Sequence, residues 1–279
     1  MEAALRIGDI EIVALRDCVL SLRLDFQFPD TPRSAFATFE ARYPGVLSGD
    51  RWTPAVRAFL IRSRSWTVLF DTGMGNLSSV EKVFHISGAL EAELRAAGAP
   101  AETIDTVVVS HLHLDHAGGV TREDGDARVP AFPRARYWVH RADIELARDW
   151  AAGTPPYGET LVELDRRGVI VDASDGAQVN EGLTLLSTPG HTPGSLSLLV
   201  RSRGDGAILT ADALPNPMLV TEPEWRFGSD NDSALATTTR IALMDRIERE
   251  GLIAVPTHMP QPFGGLVRVA GKRYWQGRG

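Results

Sequence analysis

The chain has 279 residues, 43% of them apolar and 23% charged, and it carries a net charge of −7. That profile fits a soluble globular protein able to bury its own core, as one domain or as two halves sharing an interface. The acidic balance speaks against a nucleic-acid partner. The lone cysteine, Cys18, excludes an intrachain disulfide. The charged first residues lack the apolar run of a signal peptide or membrane span, so a cytoplasmic location with no membrane partner is expected.

Residues 5–16 alternate in polarity around Gly8-Asp9, which predicts a hairpin, and Cys18 beyond it reads as buried filler. Residues 20–50 are irregular, with Phe26, Phe28, Phe36, Phe39 and Tyr43 set among prolines and glycines; long ordered loops of this kind are often functional. Strands follow at 56–61 and 66–70, then a helix at 88–97 that stops at Gly98. The β-branched run 106–110 predicts a buried strand leading directly into His111-Leu112-His113-Leu114-Asp115-His116-Ala117-Gly118-Gly119. A strand at 135–140 and helices at 141–151 and 158–167 come next, the helices divided by Gly153-Thr154-Pro155-Pro156. Strand 183–187 then runs into Thr188-Pro189-Gly190-His191-Thr192-Pro193-Gly194, and 195–200 pairs with 207–210. The longest helix, 231–250, ends at Gly251, and strand 252–255 leads to Thr257-His258. No close repeat or linker interrupts this order.

Seven histidines occur in the chain, and His111, His113 and His116 fall within six positions, with Asp115 among them. Alternate side chains of an extended segment point the same way, so His111 and His113 present both rings on one side, while Asp115 and His116 sit where the chain turns toward a helix. One short segment thereby offers four ligands in two directions, of the imidazole and carboxylate types that zinc accepts. His191, Asp212 and His258 each follow an apolar strand, the position from which a rigid scaffold presents functional groups. Together the seven meet the ligand demand of two metal ions. His85 and His140 match no ligand position and read as surface or strand-end residues.

The segment His111–His116 is similar to the HxHxDH signature of the metallo-β-lactamase superfamily. Asp71-Thr72-Gly73 resembles that family's DTG motif, and His191, Asp212 and His258 follow in its order over about residues 56–260. The resemblance implies an α/β fold: a four-layer αβ/βα sandwich of two mixed β-sheets face to face with helices outside, a single domain over 1–279 whose halves meet near 175. It implies that His111, His113 and His191 hold one metal, that Asp115, His116 and His258 hold the other, and that Asp212 bridges them. Asp71 would orient the ligand loop by hydrogen bonds. Two divalent ions, zinc expected and iron, manganese or cobalt as alternatives, would generate a bridging hydroxide. Asp115 and Asp212 are the candidate catalytic carboxylates, Asp115 steering the nucleophile or carrying a proton.

Within the family the chain resembles the branch of lactone hydrolases and aryl organophosphate hydrolases, through Glu222-Pro223-Glu224-Trp225, the long helix after it and Thr257-His258-x-Pro260. The expected enzyme is a dinuclear hydrolase of a lactone, carboxylic ester or phosphotriester. The alternatives are an iron-dependent oxidoreductase like the persulfide dioxygenases, or a thiol-ester hydrolase. Two positions depart from the pattern: Pro215 stands where many such lactonases carry a tyrosine that assists the leaving oxygen, and Ala211 replaces the usual glycine before the bridging aspartate. Phe26, Phe28, Met218, Trp225 and Phe263 are the candidate walls of an apolar pocket for a small-molecule substrate. The loop 20–50 is a candidate lid or homodimer contact.

Overall fold

Strands buried on both faces need apolar residues at every position rather than every second one. In the computed structural model, which describes residues 2–78, 81–82, 85–150 and 163–278, the strand Ile10–Val19 satisfies that condition. It turns Ile10, Ile12 and Ala14 to one side and Val13 and Leu15 to the other, all buried. Its neighbour Ala55–Arg62 does the same with Phe59 and Ile61 against Ala58 and Leu60.

Among the described residues two seven-stranded sheets form, each with its strands side by side in sequence order. The first contains Ala3–Ile7, Ile10–Val19, Ala55–Arg62, Thr67–Phe70, Thr106–Val108, Arg136–Val139 and Ile170–Asp172. The second contains Gln178–Asn180, Leu183–Ser187, Leu196–Ser202, Asp205–Leu209, Ile253–Val255, Gly264–Val269 and Lys272–Gly277. Both are mixed. The first is parallel from Thr67–Phe70 onward, and in the second Asp205–Leu209 runs parallel to Ile253–Val255. Parallel neighbours require a crossover, and the helices Leu90–Ala96, Arg141–Trp150 and Ser233–Glu250 lie within those connections.

The sheets pack face to face over one core, in which Ile12, Phe59, Ile61 and Phe70 of the first meet Leu185, Leu198, Leu209 and Val255 of the second. Leu90, Leu94 and Ala147 cover the outer face of the first sheet, and Leu243, Met244 and Ile247 cover that of the second. At about 2 kcal/mol per fully buried large apolar side chain, these three layers of contact hold the sandwich together. The result is the expected αβ/βα architecture. No described helix is long and apolar enough to cross a membrane.

Several elements differ from expectation. Residues 20–50 are not a loose loop. They contain the short strands Leu22–Arg23 and Leu47–Ser48, which flank Arg51–Trp52, and the helices Leu24–Gln27 and Ala37–Arg42. Phe28, Phe36, Phe39 and Tyr43 seat this unit on the outer core of the second sheet, which is why the sequence there is aromatic without being periodic. The long helix begins at Ser233, because the Asp232 carboxylate accepts from Leu235 N (3.0 Å) and caps it; Gly251, at φ +62°, ends it. The division at 153–156 and the expected helix start at 158 lie outside the described residues. Cys18 is half-buried against Met74 and Leu77 rather than fully enclosed, and burial raises its thiol above the ordinary range.

Candidate metal centre

The strand Thr106–Val108 ends three residues before His111, and the chain then turns through His113 into the short helix Leu114–Ala117. The turn is held from below. Thr72 N and Oγ1 both donate to the carbonyl of His116 (2.7 and 2.9 Å), and Asp71 N donates to Val108 O (2.8 Å). A side chain at Gly118 would collide with the Met74 carbonyl, so the Gly118-Gly119 pair lets the two segments touch. His191 sits in a loop after Leu183–Ser187, Asp212 in the turn after Asp205–Leu209, and His258 in the loop after Ile253–Val255. Ala211, beside Asp212, adopts φ +42°, the left-handed region that favours glycine.

These turns bring seven side chains from four segments of the chain into one cluster. Three overlapping trios have ligand atoms within 4.8 Å of one another: His111, His113 and His191; His111, His116 and Asp212; and Asp115, His116 and His258. Asp212 lies between the other two groups, Oδ2 3.3 Å from His191 Nε2 and Oδ1 3.3 Å from His258 Nε2 and 3.4 Å from His116 Nε2. Asp115 Oδ2 is 3.3 Å from His258 Nε2.

The outer ring nitrogens fix which tautomer faces inward. His116 Nδ1 donates to Asp71 Oδ2 (2.8 Å), and His191 Nδ1 donates to Asp230 Oδ1 (2.9 Å). His258 Nδ1 donates to the carbonyl of Ala55 (2.8 Å). His111 Nδ1 lies 3.0 Å from Ser110 Oγ, whose own proton goes to Asp71 Oδ2 (2.9 Å). Each of these four rings therefore turns an Nε2 lone pair toward the centre. There they face one another: His111 Nε2 and His191 Nε2 stand 3.0 and 2.9 Å from His113 Nδ1, and His116 Nε2 stands 3.2 Å from His258 Nε2. Converging lone pairs repel unless a cation or proton lies between them. Asp212 Oδ1 is buried there without a hydrogen bond among the described residues. This donor set fits divalent metal.

The electrostatics agree. Burial and the neighbouring imidazoles hold His111 well below its ordinary value and His113 down at about 3, so both are neutral. At His258 burial is outweighed by Asp212 and Asp115, which lift it to about 9, and His116 is lifted by Asp115, Asp212 and Asp71, so the carboxylates draw positive charge, a proton or a cation, to these two Nε2 atoms. The same histidines overcome burial at Asp115 and Asp212 and keep both ionised.

A cavity of about 370 Å³ opens over the cluster, with His113, Asp115, His191, Asp212 and His258 on its floor. Its walls include Leu20, Leu22, Phe26, Gln27, Trp52 and Phe227. Of the five wall residues expected from sequence, Phe26 is there, 65% exposed. Phe28, Met218 and Trp225 instead belong to the core behind the wall, where Phe28 packs edge-on to Phe36 and Trp225. Phe263 lies in the core between the sheets. A larger cavity, about 620 Å³ beside Thr72, Arg95 and Arg122, contains none of the cluster. His85 is exposed, and His140 Nδ1 accepts from Ala142 N (3.1 Å) at the start of a helix.

Several supporting residues escape a reading of the sequence. Buried Asp143 accepts from Leu112 N (3.3 Å), Gly194 N (2.6 Å) and Thr192 Oγ1 (2.8 Å), fastening the loops of His111 and His191 together. Asp230, behind His191, is paired with buried Arg240 (3.1 Å). Arg57, 1% exposed, donates to the carbonyls of Thr257 (3.0 Å) and Met259 (2.6 Å) and so grips the loop of His258 from the first sheet.

With this geometry in view, residues 52–261 match the Metallo-beta-lactamase superfamily. The N-acyl homoserine lactonase AttM of Agrobacterium fabrum is 36% identical over 131 residues, 43% of this chain and 45% of that protein, so the chain spans about half the length of that relative. AttM of Azorhizobium caulinodans is 36% identical over 194 residues, 64% of this chain and 67% of that protein. Two solved structures share the fold over 99% of this chain and 97% of theirs: AidC, a dizinc quorum-quenching lactonase in complex with a product, with a TM-score of 0.85 at 20% identity, and the hydrolase AbOPH, with 0.83 at 22%.

Proposed function

Because the chain belongs to the metallo-beta-lactamase superfamily, we propose that it is a dinuclear hydrolase of small esters, a lactone before other carboxylic esters or a phosphotriester, with zinc as its metal. One observation carries this reading: imidazole lone pairs, locked inward by Asp71, Ser110, Asp230 and the Ala55 carbonyl, converge on Asp212, whose Oδ1 has no hydrogen-bond partner among the described residues. In this reading His111, His113 and His191 would hold one cation and Asp115, His116 and His258 the second, with Asp212 available to both. Two divalent cations bound there would supply Lewis acidity and a water acidic enough to ionise near neutral pH.

The chain's own groups do the rest. Asp115, on the cavity floor, steers the attacking water or carries its proton. Leu20, Leu22, Phe26, Trp52 and Phe227 receive the apolar part of the substrate and exclude bulk water from the reacting atoms. Pro215 provides no hydroxyl for the leaving oxygen. The lactone preference draws on the lactonase relatives AttM and AidC. The test is elemental analysis of protein purified without added metal, together with turnover of a γ-lactone, an aryl ester, an aryl phosphotriester and a β-lactam. About two zinc ions per chain and hydrolysis abolished by chelation are expected. One iron and no hydrolysis would replace this reading with the oxidoreductase.

A further inference from the structure

The strap that follows Phe227 joins the substrate wall to the metal cluster. Phe227 stacks on His191 at 6.2 Å, and Asp230 holds the same ring. Between them, Gly228 N donates to the carbonyl of Gln27 (2.7 Å), an approach so close that a side chain at Gly228 would collide with the Phe26 carbonyl. Ser229 Oγ then donates to Gln27 Oε1 (2.9 Å). Gln27 is therefore fixed at both backbone and side chain, and only 4% of it is exposed. It lines the same cavity as Asp115, Asp212 and His258. Its Oε1 is engaged, while its Nε2 donates to no group among the described residues and is not enclosed as a buried orphan. Every other wall residue but Ser229 is apolar: Leu20, Leu22, Phe26, Trp52, Pro54, Leu114 and Phe227.

A single oriented N–H donor in an apolar wall selects for one acceptor oxygen. We propose that Gln27 is a specificity-determining residue, donating from Nε2 to a carbonyl oxygen that the substrate carries beside its scissile ester, and so setting the preference between lactones that bear such an acceptor and alkyl lactones that do not. This rests on the hydrolase reading above. The leucine, phenylalanine and tryptophan walls take the acyl chain, and Ser229, by occupying Oε1, keeps the donor facing the cavity.

The test compares two ligands of matched chain length, N-hexanoyl homoserine lactone and a γ-lactone bearing an α-heptyl chain without the amide. Turnover is measured on both. Binding of the two ring-opened acids is followed through the fluorescence of the tryptophans, one of which, Trp52, lines the cavity. The wild type is expected to prefer the amide ligand at least tenfold in kcat/KM and in binding. Gln27→Leu and Gln27→Glu should both collapse that ratio, mainly through KM, with zinc content retained, and Ser229→Ala should reduce it partly. A wild type that does not discriminate, or variants that lose both ligands equally, would overturn the assignment. Selective binding without turnover of either lactone would refute the hydrolase reading and leave the role of Gln27 standing.

Discussion

Asp230 serves two partners at once, and its removal separates structural from metal-linked effects. Its Oδ1 receives His191 Nδ1 at 2.9 Å and its Oδ2 receives Arg240 Nη2 at 3.1 Å, with both ionic side chains 1% exposed. In Asp230→Ala the guanidinium stays buried with one carbonyl contact, to Pro223 at 2.9 Å. Stranding one member of a buried ion pair costs about 3–5 kcal/mol, a large share of a typical total of about 5–15 kcal/mol. His191 also loses the acceptor that holds its tautomer and ring angle, and loss of such a support lowers metal affinity about 10–100-fold. Adding Arg240→Met removes the stranded charge, so the double variant should regain most of the lost stability and none of the lost affinity. Urea unfolding of chelated protein reads the first quantity, and competition with a zinc-binding dye reads the second. If the double variant also recovered zinc affinity, or if Asp230→Ala bound zinc as well as wild type, the assignment of Asp230 to His191 would be wrong.

Further expectations follow from other contacts. Burial raises the Glu2 carboxyl, but Arg57 and Arg16 outweigh it and bring the group to about 2, so its contribution is present above its ordinary 4.5 and is lost as pH falls toward 2. Glu2→Gln should therefore cost about 2 kcal/mol at pH 7, after allowance for solvent screening, and the gap from wild type in urea unfolding should close by about pH 2. Chelation should lower the melting temperature by roughly 10 °C or more when free metal had stood about a thousandfold above Kd, since that occupancy stabilises by about 4 kcal/mol per site; equal melting with and without chelator would argue against bound metal. Gly190 has φ +126°, and a Cβ there would overlap the backbone nitrogen of Ala236. Gly190→Ala should shift the His191 loop and cut zinc affinity at least tenfold, whereas Gly176→Ala, with nothing near its Cβ, should leave it within twofold.

The cluster was legible because its members are chemically conspicuous and are delivered by short segments: four of the seven lie within six residues, and the others close apolar strands. The two-sheet fold was legible through strand runs such as 56–61 and 183–187 and through the resemblance those residues sit within. What escaped depends on contacts between distant segments. Asp143 meets Gly194 across 51 residues, and Arg57 meets Met259 across 202, so nothing adjacent to either residue in sequence announces the partner. The wall residues failed for a different reason. Phe26 and Phe28 are two positions apart, yet the first faces the cavity and the second the core, because the one-turn helix Leu24–Gln27 ends between them and the chain changes direction. Composition can identify a greasy region but cannot say which of its rings is turned outward.

Each trio of the cluster draws from both sheets' halves of the chain: His191, Asp212 or His258 completes a set begun at 111–116. The first sheet is built wholly before residue 173 and the second wholly after 177. A cation held by any trio is thus a rivet through the seam of the sandwich, and occupancy and docking of the halves must favour one another by equal free energy. A chain cut between the sheets should therefore hold its halves more tightly with the rivet in place than without it, the cation adding a polar fastener at the edge to the apolar contacts between the sheets.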